Sequence, residues 1–161
     1  MQPTSVRLHA SALSFLARID WLGPLLVRLV FGYFWAETGW AKLHNLDFFT
    51  ARFVEWGIPL PAFSAALCAG TEFIGGVLIL IGLATRLTMI PMLINMLVAL
   101  IVVVLPGIST LDEFVELDEV LYVTLFVWLL IAGPGRASVD HLIARAWRGG
   151  TPLPGTALPT R

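Results

Sequence analysis

Residues 60–83 read Leu60-Pro61-Ala62-Phe63-Ser64-Ala65-Ala66-Leu67-Cys68-Ala69-Gly70-Thr71-Glu72-Phe73-Ile74-Gly75-Gly76-Val77-Leu78-Ile79-Leu80-Ile81-Gly82-Leu83, an apolar run with a single carboxylate, Glu72, near its centre. The run is long enough for the roughly 20 residues that a helix needs to cross the hydrocarbon core. On a helix at about 100° per residue, Ala65, Cys68, Ala69, Gly75, Gly76 and Ile79 fall within about 60° of Glu72. Small residues let a second helix approach closely in lipid, and an ionisable group facing acyl chains is costly. Both features turn the Glu72 face toward other helices.

Composition agrees. The chain has 161 residues, of which 58% are hydrophobic and 13% charged, and its mean hydropathy is +0.86. Soluble domains carry about 25% charged residues, so this reads as an integral membrane protein with room for four spans and no second folded domain. The net charge of -1 comes without any basic run interleaved with aromatics, which sets nucleic-acid binding aside. One cysteine, Cys68, excludes an intrachain disulfide, a CxxC couple and a four-cysteine metal site.

Working outward, Val6 to Leu22 has the pattern of an amphipathic interfacial helix, with Arg18 and Asp20 arriving too early for a signal-peptide core. Pro24 opens a first span from about Leu25 to Leu43, in which Arg28, Gly32, Trp35, Gly39, Lys42 and Leu43 share one side and Glu37 projects nearly opposite. Between His44 and Pro61, Phe48, Phe49, Phe53 and Trp56 alternate with polar residues, as in a short helix at headgroup level. Ala84-Thr85-Arg86 makes a tight turn into a third span, about Leu87 to Leu105, kinked at Pro91 and stopped by Pro106-Gly107. Ile108 to Asp118 reads as a short acidic loop, and a fourth span runs from about Glu119 to Ala132 or Gly133. The predicted architecture is an all-α polytopic membrane protein, a four-transmembrane-helix bundle. Residues 1–23 form its amphipathic N-terminal segment, 24–148 the membrane domain and 149–161 a disordered Pro-rich tail. Arg7, Arg18, Arg86, Arg136, Arg145, Arg148 and Arg161 fall on the side of both termini, against Lys42 and Arg52 opposite, which predicts cytoplasmic termini.

Glu72 lies about 15 Å into its helix, near the bilayer midplane. Asn95 reaches a similar depth, Glu37, Lys42 and Glu119 belong to the outer half, and Arg28 and Arg86 to the inner. Four uses of this polar layer stay open. As a neutral acid Glu72 donates a hydrogen bond to a quinone carbonyl or relays a proton; paired with Lys42 or an arginine it is structural glue. With His44 it would be one oxygen ligand of a metal, although no HxxxH or ExxH spacing supports this and no metal is assigned; in a cavity it would bind a transported solute. Snorkelling accounts for Lys42 and Arg86, interhelical bonding for Asn95, packing for Cys68 and lipid anchoring for the Trp and Phe residues. No nucleophile–base pair, phosphate loop or zinc motif is present.

Arg28, Gly32, Gly39-Trp40-Ala41-Lys42-Leu43, Gly57-Ile58-Pro59-Leu60-Pro61, Glu72-Phe73-Ile74-Gly75-Gly76, Gly82-Leu83-Ala84-Thr85-Arg86 and Gly133-Pro134-Gly135-Arg136-Ala137-Ser138-Val139-Asp140, in this order and spacing, resemble the DoxX family. The resemblance implies a small four-helix protein of the bacterial inner membrane. It also implies service to sulfur-linked, quinone-reducing oxidoreductases or to complexes that manage thiol or oxidative stress. By position it carries over Arg28, Lys42, Glu72, Arg86, Glu119 and Asp140, while Glu37 departs from the family pattern. The leading expectation is an accessory membrane subunit of an oxidoreductase, contacting quinone near Glu72 and Lys42, with a membrane or peripheral redox partner or a second copy of the chain. The alternatives are a solute, metal or proton carrier using Glu37, Glu72 and Asn95, and a structural assembly subunit.

Overall fold

The computed structural model describes residues 13–149, and these are helical with no strand among them. Residues 13–18 are helical. Then follow α1 (Leu22–His44), α2 (Leu46–Glu55), α3 (Pro61–Ile81) and α4 (Thr85–Val98). A π-helical stretch, Ala99–Val104, and a 3-10 turn, Leu105–Gly107, prolong α4, and α5 (Leu111–Val115), α6 (Asp118–Ala132) and α7 (Val139–Gly149) complete the order. Most of the expected amphipathic segment, residues 1–12, and nearly all of the Pro-rich tail, residues 150–161, lie outside the described residues.

The small-residue face of α3 and the Arg28 stripe of α1 pack on each other. α1 buries Arg28, Gly32, Trp35 and Gly39, and α3 buries Ala65, Ala69, Glu72, Gly75, Gly76 and Ile79. A Cβ on Gly39 would stand 2.2 Å from the Phe73 nitrogen, and one on Gly76 2.2 Å from the Ala36 nitrogen. Only residues without a side chain permit that approach, and it lets two helix backbones touch in lipid. Against this pair, α4 and α6 complete a core of Trp35, Ile79, Met89, Met92, Met96, Phe126 and Leu129. Tyr122 lies edge-on to Trp35 at a 5.2 Å ring separation.

Among the described residues two helices are long and apolar enough to cross a membrane, Pro61–Ile81 with mean hydropathy 1.9 and Thr85–Gly107 with 2.6. α1 carries Arg28, Glu37 and Lys42, and α6 has 15 residues, so neither meets that description. Large apolar side chains cover the exterior of the helices, Ile74, Leu87, Ile101 and Ile131 among them. Such a continuous apolar exterior is what a bilayer solvates and water does not.

Three local readings need correction. The turn between α3 and α4 is Gly82–Ala84, and Thr85 and Arg86 already belong to α4. The acidic connection contains α5, because Thr110 Oγ1 accepts from the Glu113 nitrogen at 3.2 Å while Glu113 Oε2 accepts from the Thr110 nitrogen at 3.3 Å, a capping box that nucleates one turn. The third long helix does not stay α-helical to Leu105: beyond Val98 it widens into π-turns.

Candidate functional site

The contact between Gly39 and the Glu72–Phe73 peptide decides the site. Lys42 is the next residue on the same face of α1, so the glycine contact brings its side chain level with Glu72. Lys42 Nζ lies 2.6 Å from both carboxylate oxygens. Asn95 Nδ2 donates to Glu72 Oε1 at 3.3 Å from α4, and Cys68 Sγ, one turn before Glu72 on α3, is 3.7 Å from the same oxygen. The side chain of Glu72 is 4% exposed and that of Lys42 27%. The carboxylate is thus enclosed by donors while the ammonium keeps an open side, with its nitrogen 4.9 Å from the Phe49 ring centroid.

That open side faces a cleft of about 770 Å³, within the range of small-molecule sites. Lys42, Ser64, Cys68, Thr71, Glu72, Asn95 and Glu119 form its polar part. Phe49, Phe53, Trp56, Ile58 and Pro59 wall one side, and Ile94, Met96, Val98, Ala99, Val103 and Val104 another. The π-helical stretch therefore supplies part of the wall, a common placement for such turns near functional sites. Of the aromatic residues expected at headgroup level, Phe48 is exposed, but Phe53 is buried and packs on Phe49 and Trp56. Sequence reading missed these walls because an aromatic girdle and an aromatic pocket have the same spacing.

At the other end of the helices the charged groups meet backbone. Arg28, 1% exposed, donates through Nη2 to the Ala137 carbonyl. Arg86 Nη2 donates to Ile131 O at 3.0 Å, where the last turn of α6 leaves carbonyls without helical partners. Asp140 accepts from the Ala84 and Thr85 nitrogens at 2.7 and 3.1 Å, and its own nitrogen donates to Gly82 O at 3.0 Å. Asp140 thereby caps α4 from 55 residues away and holds Ala84 at φ 49°, a left-handed conformation that disfavours a side chain. Gly82, at φ 70°, lies where a Cβ would fall 1.9 Å from Arg28 Nη1.

Of the residues singled out from sequence, Glu72, Lys42 and Asn95 come together and Glu119 lines the same cleft. Glu37 is exposed on α1 and does not line it. Arg28 and Arg86 join Asp140 in the clasp of the α3–α4 turn and the segment after α6. His44 Nδ1 is 2.9 Å from Trp40 O and its ring stacks on Trp40, outside the cleft.

Comparison with known proteins places the chain. No solved structure gives a significant match. The chain is 30% identical over 132 residues to "Uncharacterized membrane protein Rv3486" of Mycobacterium tuberculosis (strain ATCC 25618 / H37Rv), covering 75% of this chain and 81% of that protein. It is also 30% identical over 129 residues to "Putative oxidoreductase CatD" of Bacillus subtilis (strain 168), covering 80% of this chain and 92% of that one. The DoxX family profile matches residues 23–105. With the glycine seam and the Lys42–Glu72 pair lying inside that match, the chain belongs to the DoxX family of membrane proteins.

Proposed function

We propose that the protein is a multi-pass subunit of the bacterial inner membrane that presents a quinone-binding cleft to a redox partner. In this reading α1, α3, α4 with its extension, and α6 are the four spans, joined into one membrane domain over residues 24–148, with both termini cytoplasmic. α1 crosses because its charged groups are turned inward or lie near its end, and α6 crosses where its ends are covered by neighbouring segments. The name of the Bacillus subtilis relative, an oxidoreductase, is compatible with a redox setting.

The observation that carries the reading is the Lys42 ammonium. It is fixed by two contacts of 2.6 Å to a buried carboxylate and still borders a largely apolar cleft. An ammonium has three donors, so holding both oxygens of Glu72 leaves one for a carbonyl in the cleft. Phe49, Phe53 and Trp56 offer flat apolar surface beside it, where an aromatic ring or a planar conjugated ring packs well. A bound quinone would supply the carbonyl–hydroxyl redox couple. Lys42 orients the carbonyl and favours negative charge on it, Glu72 fixes Lys42, and Asn95 fixes Glu72. With one cysteine the chain has no dithiol couple of its own, so electron supply falls to the partner, in a quinone-linked or oxidative-stress system.

Photolabelling with an azidoquinone in native-like nanodiscs tests the reading. The expected label falls on cleft residues such as Phe53, Trp56 or Val103 and is removed by excess unlabelled quinone. Label spread over the lipid-facing surface, unaffected by competitor, would reject it.

A further inference from the structure

The cleft does not end at its own walls. Leu67, Thr71 and Pro91 also line a second hollow of about 320 Å³ on the outer side of the α3–α4 hairpin. This hollow is a groove floored by Gly70 and Gly75 and flanked by Ile74 and Leu78. Its surroundings belong to the helix exterior: Leu67 is 58% and Ile74 60% exposed. α3 and α4 with its extension to Gly107 are, among the described residues, the two helices long and apolar enough to cross the bilayer, so the groove opens toward acyl chains. Pro91 sits at the junction and brings no N–H to it, which leaves the ladder of α4 one donor short at that level.

We infer that the cleft and the groove are two parts of one site for a long-tailed, membrane-dissolved quinone. The head lies in the cleft beside Lys42 and Asn95, and the hydrocarbon tail passes over Leu67, Thr71 and Pro91 into the groove between α3 and α4. The inference rests on the cleft taking a quinone head and adds the tail, the route and the class of ligand. Entry is sideways from the bilayer, because the groove is where the cleft's lining continues onto the lipid-facing surface. A tail moving from lipid into such a groove gains little hydrophobic energy, since lipid is as apolar as the groove. The groove therefore selects by shape: a ligand whose tail cannot lie there cannot seat its head.

Gly70 provides the test, because it lines the groove and a Cβ built on it meets nothing within 4 Å, so a side chain can start there without a clash. Gly70→Trp is compared with wild type in nanodiscs, with binding of a dimethoxy-methylbenzoquinone measured with and without a decyl tail. Leu87→Trp, which adds the same ring at an exposed position outside both hollows, is the control. The expected result is a rise of about tenfold or more in Kd for the tailed compound in Gly70→Trp, with the tailless compound and the Leu87→Trp control within about twofold of wild type. Equal effects on tailed and tailless compounds, or no effect on either, would overturn the groove while leaving the cleft standing. Failure of wild type to bind either compound would overturn both.

Discussion

Lys42 and Glu72 pair charge with charge beside an open cleft, whereas Arg28, Arg86 and Asp140, gathered around the α3–α4 turn, direct theirs to backbone groups and lock the chain. Both sets are charged residues in or beside apolar helices. The difference lies in what adjoins them. Arg28 is 1% exposed and packed against Gly82 and Ala137, and Asp140 completes the first turn of α4. Lys42 keeps an unfilled side. In the reading proposed above, a buried charge with space beside it is a site for a ligand, and one without space is part of the architecture.

The largest expected effect breaks the architectural end. Gly82→Val places a Cβ against the Arg28 guanidinium and forces a branched residue to φ 70°; a loss of about 4 kcal/mol or more is expected. It would be seen as failure to recover monodisperse protein. At the other end, Lys42→Met leaves the enclosed Glu72 carboxylate unpaired and should cost about 3–5 kcal/mol. Adding Glu72→Gln to Lys42→Met should restore stability to within about 1 kcal/mol of wild type, because neutral groups of similar shape need no partner charge. Thermal melts in detergent read both variants. A double variant as unstable as the single one would make the pair architecture too, and erase the contrast. Asp140→Ala removes a helix cap, and a loss of about 1–2 kcal/mol is expected, with ligand binding per folded molecule unchanged. Asn95→Leu should be mildest, at about 0.6 kcal/mol, the average for interhelical hydrogen bonds in lipid. A melt shifted as far as that of Asp140→Ala would promote Asn95 from support to essential member of the cluster.

Much of this was legible in the residues and some was not, for identifiable reasons. The small-residue face around Glu72 and the stripe from Arg28 to Gly39 follow from helical period alone, and both are buried except at Cys68, which is half-buried. The Lys42–Glu72 pair was one of several readings. Choosing it required knowing that α1 and α3 touch at Gly39, a contact 30 residues apart for the pair it aligns. Arg28 and Arg86 read as inner-side basic residues because their partners, carbonyls at 137 and 131, are backbone groups that carry no signature in sequence. Asp140 entered only through family resemblance, since a cap supplied from 55 residues away has no local pattern. The π-turns over Ala-Leu-Ile-Val-Val-Val are equally silent, as this run suits an ordinary apolar helix. By contrast, the capping box at Thr110 and Glu113 was readable and the acidic character of the segment obscured it.

The most direct test of the central contrast is the affinity of a tailless benzoquinone for the Lys42→Met/Glu72→Gln and Asp140→Ala variants, measured side by side in nanodiscs at a temperature where both are folded. The account predicts a Kd raised by about tenfold or more in the first and unchanged in the second. Wild-type affinity in the double variant, or an equal loss in both, would contradict it.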